Sequence, residues 1–315
     1  MSDVPFIGYD DADRLMTWPQ IADALAAGHR LPRADIDDLL MMKGAEGILN
    51  RGAWIEGLGI ALKSVTIFPG NHALPEPLPM VQGVTILFDD TNGSVKALVD
   101  GGLVTKWKTA GDSVLGARLL ARPDSKKLLI CGSGAIGTAL VDAYTSIFPN
   151  LDNIEIWSRT TANAEALAGQ ARAAGHPCHA VSDLAQAAGQ ADIVSCATMT
   201  SDPILKGDWI GPGTHVDLIG AFKADMREAD DALMAKAELF VDARETTIED
   251  IGEISIPLAA GVISEADIRG DLYDLCNDGS GRSGPEAITL YKNGGGAHLD
   301  LMTADLISQV WKAAQ

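Results

Sequence analysis

Apolar and polar residues follow two different rhythms along this chain. After Asp11-Ala12-Asp13, Leu15 and Met16 and then Trp18, Ile21, Ala22 and Leu25 recur near helical spacing, which predicts one or two opening helices. Beyond Gly28 the chain passes Pro32 and Arg33 toward Leu39-Leu40-Met41-Met42. Three strand-like runs follow, Trp54 to Glu56, Gly59 to Phe68 and Gln82 to Phe88, the last bounded by Pro79 and Asp89-Asp90. Asp90-Thr91-Asn92-Gly93 is a turn signal, and Val95 to Val99 reads as the returning strand of a hairpin. This part of the chain predicts a mostly antiparallel sheet with helices on it.

From Leu103 to Leu120 the pattern becomes helical, and Ala121-Arg122-Pro123-Asp124-Ser125 punctuates it. The rhythm then changes to short, wholly apolar strands separated by helical stretches. Ile154 to Trp157, Ala191 to Ala197, Thr214 to Ile219 and Glu238 to Asp242 read as strands, and Thr161 to Ala174 as a helix. Such alternation from Lys126 to about Leu290 predicts a parallel, doubly wound sheet. In the tail, Ala297, Leu299, Leu301, Ala304, Leu306 and Ile307 form a helical pattern, expected to pack back onto the first domain. The predicted class is α/β, with domains at 1–120 plus 294–315 and at 121–293.

Composition and charge narrow the partners. The 24 basic and 43 acidic residues leave a net charge of −19, which repels nucleic acid and anionic membranes. No apolar run reaches the ~18 residues of a membrane span, and Met1-Ser2-Asp3-Val4-Pro5 lacks a secretory pattern, so a cytoplasmic chain is expected. Cys131, Cys178, Cys196 and Cys276 are too scattered for a disulfide framework or zinc knuckle. His176 and His179 have metal-like spacing, but Pro177 lies between them and no further ligand is near, so no metal is expected.

Candidate chemistry begins at Leu128-Leu129-Ile130-Cys131-Gly132-Ser133-Gly134-Ala135-Ile136-Gly137, a buried strand, a glycine turn and a helix start. In a G-x-G-x-x-G turn the first glycine permits the tight bend. The second lets a pyrophosphate approach the backbone, and the third lets helix and strand pack closely. The residues from Gly132 to Gly137 are therefore expected to bind a dinucleotide in a Rossmann-type domain. At the end of the second strand an acid usually holds a plain ribose; here Ser158-Arg159-Thr160 stand instead. Two hydroxyls and a guanidinium suit a 2′-phosphate, which leans the cofactor from NAD toward NADP. Arg159 stacking on adenine is the alternative that leaves NAD acceptable. Thr198, just past an apolar strand, is placed either to bond a ribose or to cap the next segment.

The glycine turn, Trp157-Ser158-Arg159-Thr160, Pro203-Ile204-Leu205, Gly211-Pro212-Gly213-Thr214-His215, Ile219-Gly220-Ala221 and Arg227-Glu228-Ala229-Asp230 together resemble the ornithine cyclodeaminase/mu-crystallin family. Lys63, Pro69-Gly70-Asn71, Gln82-Gly83 and Gly281-Arg282 extend the likeness over nearly the whole chain. The resemblance implies a Rossmann domain beside a substrate-binding and dimerisation domain, usually in a homodimer. It implies hydride transfer between nicotinamide and the α-carbon of an amino or imino acid. It also places Thr109 at a phosphate, and Gly220 and Gly296 on the cofactor side.

Three departures sharpen this. Cyclodeaminases and the alanine dehydrogenases resembling them carry aspartate after Ile-Gly-Ala, whereas this chain has Phe222, which neither takes a proton nor balances an ammonium. Lys108 stands where the family commonly has arginine, keeping the charge but losing the bidentate fork. Asn50-Arg51-Gly52-Ala53 replaces a Met-Pro-Ala segment and adds a cation, unless Arg51 is a surface turn residue in an ion pair. With Arg33 and Lys63 the cations exceed what one carboxylate needs.

The expected function is NAD(P)H-dependent reduction of an α-imino acid to the L-amino acid, with iminosuccinate reduced to aspartate fitting that surplus. Lys63, Lys108, Arg33 and Arg51 are the expected substrate ligands. Lys63 is expected nearest the reacting nitrogen, as proton donor or as a fixed cation, and Lys108 is its catalytic companion. Alternatives are a reductase of pyrroline-2-carboxylate or piperideine-2-carboxylate, an alanine dehydrogenase, an ornithine cyclodeaminase, and a non-catalytic binder of cofactor or ligand.

Overall fold

The structure, a computed structural model, describes residues 4–279 and 281–315. Its chain forms two compact units, one from the residues up to Lys108 with Gly296–Gln315, the other from Thr109–Gly295. The division falls inside the helix Gly101–Leu120, ahead of the punctuated link at 121–125 where the sequence suggests a boundary. The helix runs unbroken, so its first turns belong to one unit and its later turns to the other.

The first unit is built on six strands: β1 (Phe6–Ile7), β2 (Asp35–Lys43), β3 (Glu46–Ile55), β4 (Gly59–Ile67), β5 (Val81–Phe88) and β6 (Val95–Asp100). Their order is β1-β6-β5-β4-β3-β2, antiparallel except where β1 joins β6. The Leu39-Leu40-Met41-Met42 run belongs to β2, and β3 begins well before Trp54. Strand alternation decides what is buried: along β4, Gly59, Ala61, Lys63 and Val65 face inward. The final helix, Ala297–Ala313, packs against β3 to β6 within this same unit. Lys63 therefore sits in an apolar row and needs a counter-charge there.

The second unit carries eight strands: β7 (Lys127–Cys131), β8 (Asn153–Trp157), β9 (Cys178–Ala180), β10 (Ile193–Cys196), β11 (His215–Leu218), β12 (Glu238–Val241), β13 (Ile268–Gly270) and β14 (Thr289–Lys292). All pair in parallel in the order β13-β12-β14-β11-β10-β7-β8-β9. From β7 the chain winds outward through β8 and β9, then returns to the other side of β7 at β10. The switch point lies beyond the carboxyl ends of β7 and β10, where ligands of open α/β sheets collect. The glycine turn follows β7. The three-residue strands β9 and β13 are too short to stand out in the apolar pattern.

No helix among the described residues is long and apolar enough to cross a membrane. His176 and His179 pair with different carboxylates, Asp142 and Glu155.

A buried carboxylate ties the second unit's helices to its sheet. Asp217 on β11 accepts hydrogen bonds from Ser195 on β10 at 2.6 Å, Tyr144 at 2.9 Å and Ser113 at 3.1 Å. Burial pushes its pKa up to about 6, although these donors and Lys292 oppose the rise. Asp217→Ala strands three buried hydroxyls and should cost roughly 2–4 kcal/mol in urea unfolding. A group with a raised folded pKa adds stability that is lost as pH climbs through that pKa. The advantage of wild type over Asp217→Asn should accordingly shrink between about pH 4 and about pH 6.

Candidate functional site

At the end of β7 the three glycines divide the labour as the turn motif predicts. Gly132 has φ 121°, and a Cβ there would stand 2.6 Å from the Ala197 carbonyl oxygen. A Cβ on Gly137 would stand 2.3 Å from the Gly132 oxygen, so the helix Ala135–Ile147 packs this close only with glycine. Gly134, the N-cap of that helix, has nothing within 4 Å of its Cβ position. The chain itself does not require this glycine, which leaves exposed backbone at a helix start where unpaired N–H groups attract anions.

Beside the turn lies an open cavity of about 270 Å³. Gly132, Ser158, Arg159 and Thr160 line one part of it, and Ala197 to Thr200 another. Ser133 donates its hydroxyl to Ser158 at 3.1 Å, tying the turn to the end of β8. Arg159 and Thr160 are exposed, and no carboxylate lines the cavity among the described residues. Positive helix end, open glycine and basic rim fit a dinucleotide phosphate.

Two predicted cofactor residues prove to be joined by a third. Thr198 donates its N–H and its hydroxyl to Glu228 Oε1, both at 2.7 Å, and Gly220 donates its N–H to Glu228 Oε2 at 2.6 Å. Glu228 thus clamps the ends of β10 and β11 beside the cavity, and the Thr198 hydroxyl is engaged within the protein. Gly220 is required because a Cβ would fall 1.9 Å from the Thr198 carbonyl. Burial raises the Glu228 pKa to about 7; Lys292 opposes this, and neighbouring Glu253 adds to it. Arg227-Glu228-Ala229-Asp230 stands out in the sequence only through the family resemblance, because a glutamate among Asp225, Arg227, Asp230 and Asp231 gives no local sign of burial. Thr109 is half-buried, and its carbonyl accepts a 2.9 Å hydrogen bond from Asn293. Gly296 is the N-cap of the final helix in the first unit.

That unit gathers the predicted cations around a residue the sequence did not single out. Lys63 and Lys108, both buried, point their ammonium groups at one oxygen of Asp300, at 3.1 and 3.2 Å. Lys63 also donates to the Thr105 hydroxyl at 2.9 Å. Thr105 and Lys108 lie three residues apart on one helix and so share a face. Arg51 and Lys63 are cross-strand partners, as are Arg51 and Asp38, which puts the three in one row across the sheet. Arg51 meets Asp38 at 2.8 Å; it stands mid-strand and is not a turn residue. Arg33 is exposed ahead of β2.

These charges shift one another. Burial lowers the Lys108 pKa to about 8, with Lys63 and Arg51 adding to the fall and Asp300 resisting it. Burial alone would raise Asp300, but Lys108, Lys63 and Arg51 outweigh it and hold the carboxyl below its usual range. His298 is pushed well below its ordinary value by burial and by His29 and Lys108 nearby, so it is neutral. Phe222, in contrast, is 52% exposed with the Lys223 ammonium 5.4 Å from its ring centre.

The model of the ornithine cyclodeaminase/mu-crystallin family matches residues 55–315. The chain belongs to that family. Among its relatives, Delta(1)-pyrroline-2-carboxylate reductase of Paracoccus denitrificans is 51% identical, with 97% of this chain and 96% of that protein covered. Ketimine reductase mu-crystallin of Mus musculus is 32% identical over 81% of this chain and 77% of its own. The structure of Thermococcus litoralis Delta(1)-pyrroline-2-carboxylate reductase, in complex with NADH and L-proline, superposes with a TM-score of 0.91. It is 26% identical, covering 99% of this chain and 98% of that one.

The glycines separate structure from binding. Gly137→Ala should lower the unfolding temperature because helix and strand must part. Gly134→Val, which meets nothing in the chain, should cost only about 1 kcal/mol for a poorer N-cap, yet weaken NAD(P)H binding at least tenfold by fluorescence titration, since a ligand would meet the new side chain.

Proposed function

We propose that this chain reduces a small α-imino acid to the L-amino acid with a nicotinamide dinucleotide, and that a cyclic ketimine carboxylate of the pyrroline-2-carboxylate kind fits best. The buried lysine pair carries this reading: Lys63 and Lys108 point their ammonium groups at one oxygen of Asp300, with Arg51 and Asp38 next along the row, and a substrate carboxylate is the ligand such cations suit.

When bound, the reduced dinucleotide would supply the hydride for the imine carbon, and the proton that the nitrogen must gain is one that the ammonium group of Lys63 or Lys108 can donate. The chain's other part is to hold the substrate. Buried ammonium groups attract a carboxylate far more strongly than exposed ones, because little water screens them. A fixed carboxylate orients the C=N bond for attack. The L-proline bound by the Thermococcus litoralis relative and the 51% identity to the Paracoccus denitrificans reductase support a cyclic substrate. Phe222 offers no base for deamination, which argues against a cyclodeaminase.

The cofactor we propose is NADPH in preference to NADH. Ser158, Arg159 and Thr160 line the cavity with no acid to claim a ribose hydroxyl. In the proposed division of labour, the glycine-turn domain holds the dinucleotide and the antiparallel sheet holds substrate and a second copy. Leu39, Leu40, Met41 and Met42, each more than half exposed on edge strand β2, support a homodimer.

A spectrophotometric screen tests the function. NADH and NADPH are offered separately with pyrroline-2-carboxylate, piperideine-2-carboxylate, oxaloacetate plus ammonia, and pyruvate plus ammonia. Turnover with a cyclic imine is expected. Binding without turnover on any imine would point to a non-catalytic protein, and ammonia release from ornithine without reductant to a lyase.

The lowered Lys108 pKa makes a second prediction. As pH rises through about 8 the ammonium is lost, and with it part of the attraction for the carboxylate. Arginine stays charged throughout. The ratio of wild-type KM to Lys108→Arg KM for the imine should therefore climb above about pH 8, substrate ionisation cancelling in the ratio.

A further inference from the structure

We infer that Glu228 is a positioning residue for the dinucleotide: it claims the proton of the Thr198 hydroxyl, so that Thr198 faces the cavity as a hydrogen-bond acceptor and meets a ribose hydroxyl, not a phosphate. The inference rests on the dinucleotide-binding reading above and adds which part of the ligand this wall of the cavity recognises. Glu228 is fully buried. Its carboxylate fastens the start of segment 198–205 through the Thr198 N–H and hydroxyl. Its backbone carbonyl fastens the end, accepting from the Ile204 and Leu205 N–H groups at 2.9 Å each. Between these points the Arg227 N–H donates to the Thr200 carbonyl at 3.1 Å. Thr198, Thr200 and Ile204 all line the cavity beside the glycine turn.

The donors around this carboxylate decide which way the hydroxyl turns. The N–H groups of Thr198 and Gly220 can only donate, whereas a threonine hydroxyl carries one proton and two lone pairs. At 2.7 Å from Glu228 Oε1, that proton is committed inside the protein. The Cys196 thiol, 3.6 Å from Thr198 Oγ1, can use one lone pair, and the other is left for a ligand. A ribose hydroxyl can donate to it, but an ionised phosphate oxygen has no proton to offer. Lys292 on β14, Glu253 on the helix Gly252–Ala259 and Cys196 on β10 face the same carboxylate, which is ionised above about pH 7. Glutamine in its place would add an NH2 donor among donors. The acceptor within reach of that NH2 is Thr198 Oγ1, so the threonine proton would be released toward the cavity.

The experiment titrates the intact protein with NADH and with NADPH by fluorescence, at a pH about 1.5 above the Glu228 pKa of about 7. It is run on wild type, Glu228→Gln, Thr198→Val, Thr198→Ser and the double variant Glu228→Gln with Thr198→Val, with folding checked by circular dichroism. Glu228→Gln and Thr198→Val should each weaken binding about fivefold, the loss of one hydrogen bond, while Thr198→Ser, which keeps the hydroxyl, stays within about twofold of wild type. Because both changes act on the same contact, the double variant should bind within about twofold of either single one. A carboxylate that only braced the wall would weaken binding as much in the Thr198→Val background as in wild type. Tighter binding by Glu228→Gln would mean that Thr198 donates to a phosphate. Either result overturns the inference. If Glu228→Gln does not fold, Thr198→Val decides: affinity within about twofold of wild type overturns it. Failure of wild type to bind either dinucleotide would sink the underlying reading instead, a result distinct from additive losses.

Discussion

Two ammonium groups buried side by side are the constraint on which the first unit's arrangement depends. Lys63 is forced inward by strand alternation and Lys108 by its helix face, and neither can reach bulk water. Asp300 meets both. The final helix must therefore lie against β3 to β6 in one register, because a one-turn slip would withdraw the carboxylate. Such a buried ion cluster is weak evidence of net stabilisation, but removing one member leaves an uncompensated charge, typically a loss of about 3–5 kcal/mol.

The second unit solves a related problem with the same chemistry. Parallel strands end together at the switch point, leaving unpaired backbone N–H groups around the cavity. Glu228 gathers two of these and the Thr198 hydroxyl, while Glu253 accepts from the N–H groups of Glu228 and Ala229 at 2.7 and 3.0 Å. Lys292, fully buried and donating to the Leu218 carbonyl at 2.9 Å, supplies the nearby positive charge. The cavity wall thus rests on buried carboxylates that touch backbone, and its shape is insulated from the exposed rim at Arg159 and Met199.

Lysine at position 108 gives this member of the family a titratable cation where the common pattern has a permanent one. Its environment then matters in a way an arginine's would not. Burial and two neighbouring cations bring its pKa to about 8, close to physiological pH.

The strand and helix patterns, the glycine turn, Lys63, Lys108 and the absence of an acid at position 222 were legible in the sequence because each is a local signal. Periodicity reports burial, glycine reports a backbone conformation, and an ionisable side chain in an apolar run reports a site. The number of cations can be counted along the chain, whereas their ion pairs cannot. Whether Arg51 and the two lysines act as free charges depends on Asp38 and Asp300, one across a strand pair and the other more than 200 residues away. The same holds for Glu228, whose three donors come from two other strand ends. Local chain chemistry determined the fold class and the candidate residues; only the tertiary structure decided their charge balance, because Coulomb interactions act through space and take no account of sequence separation.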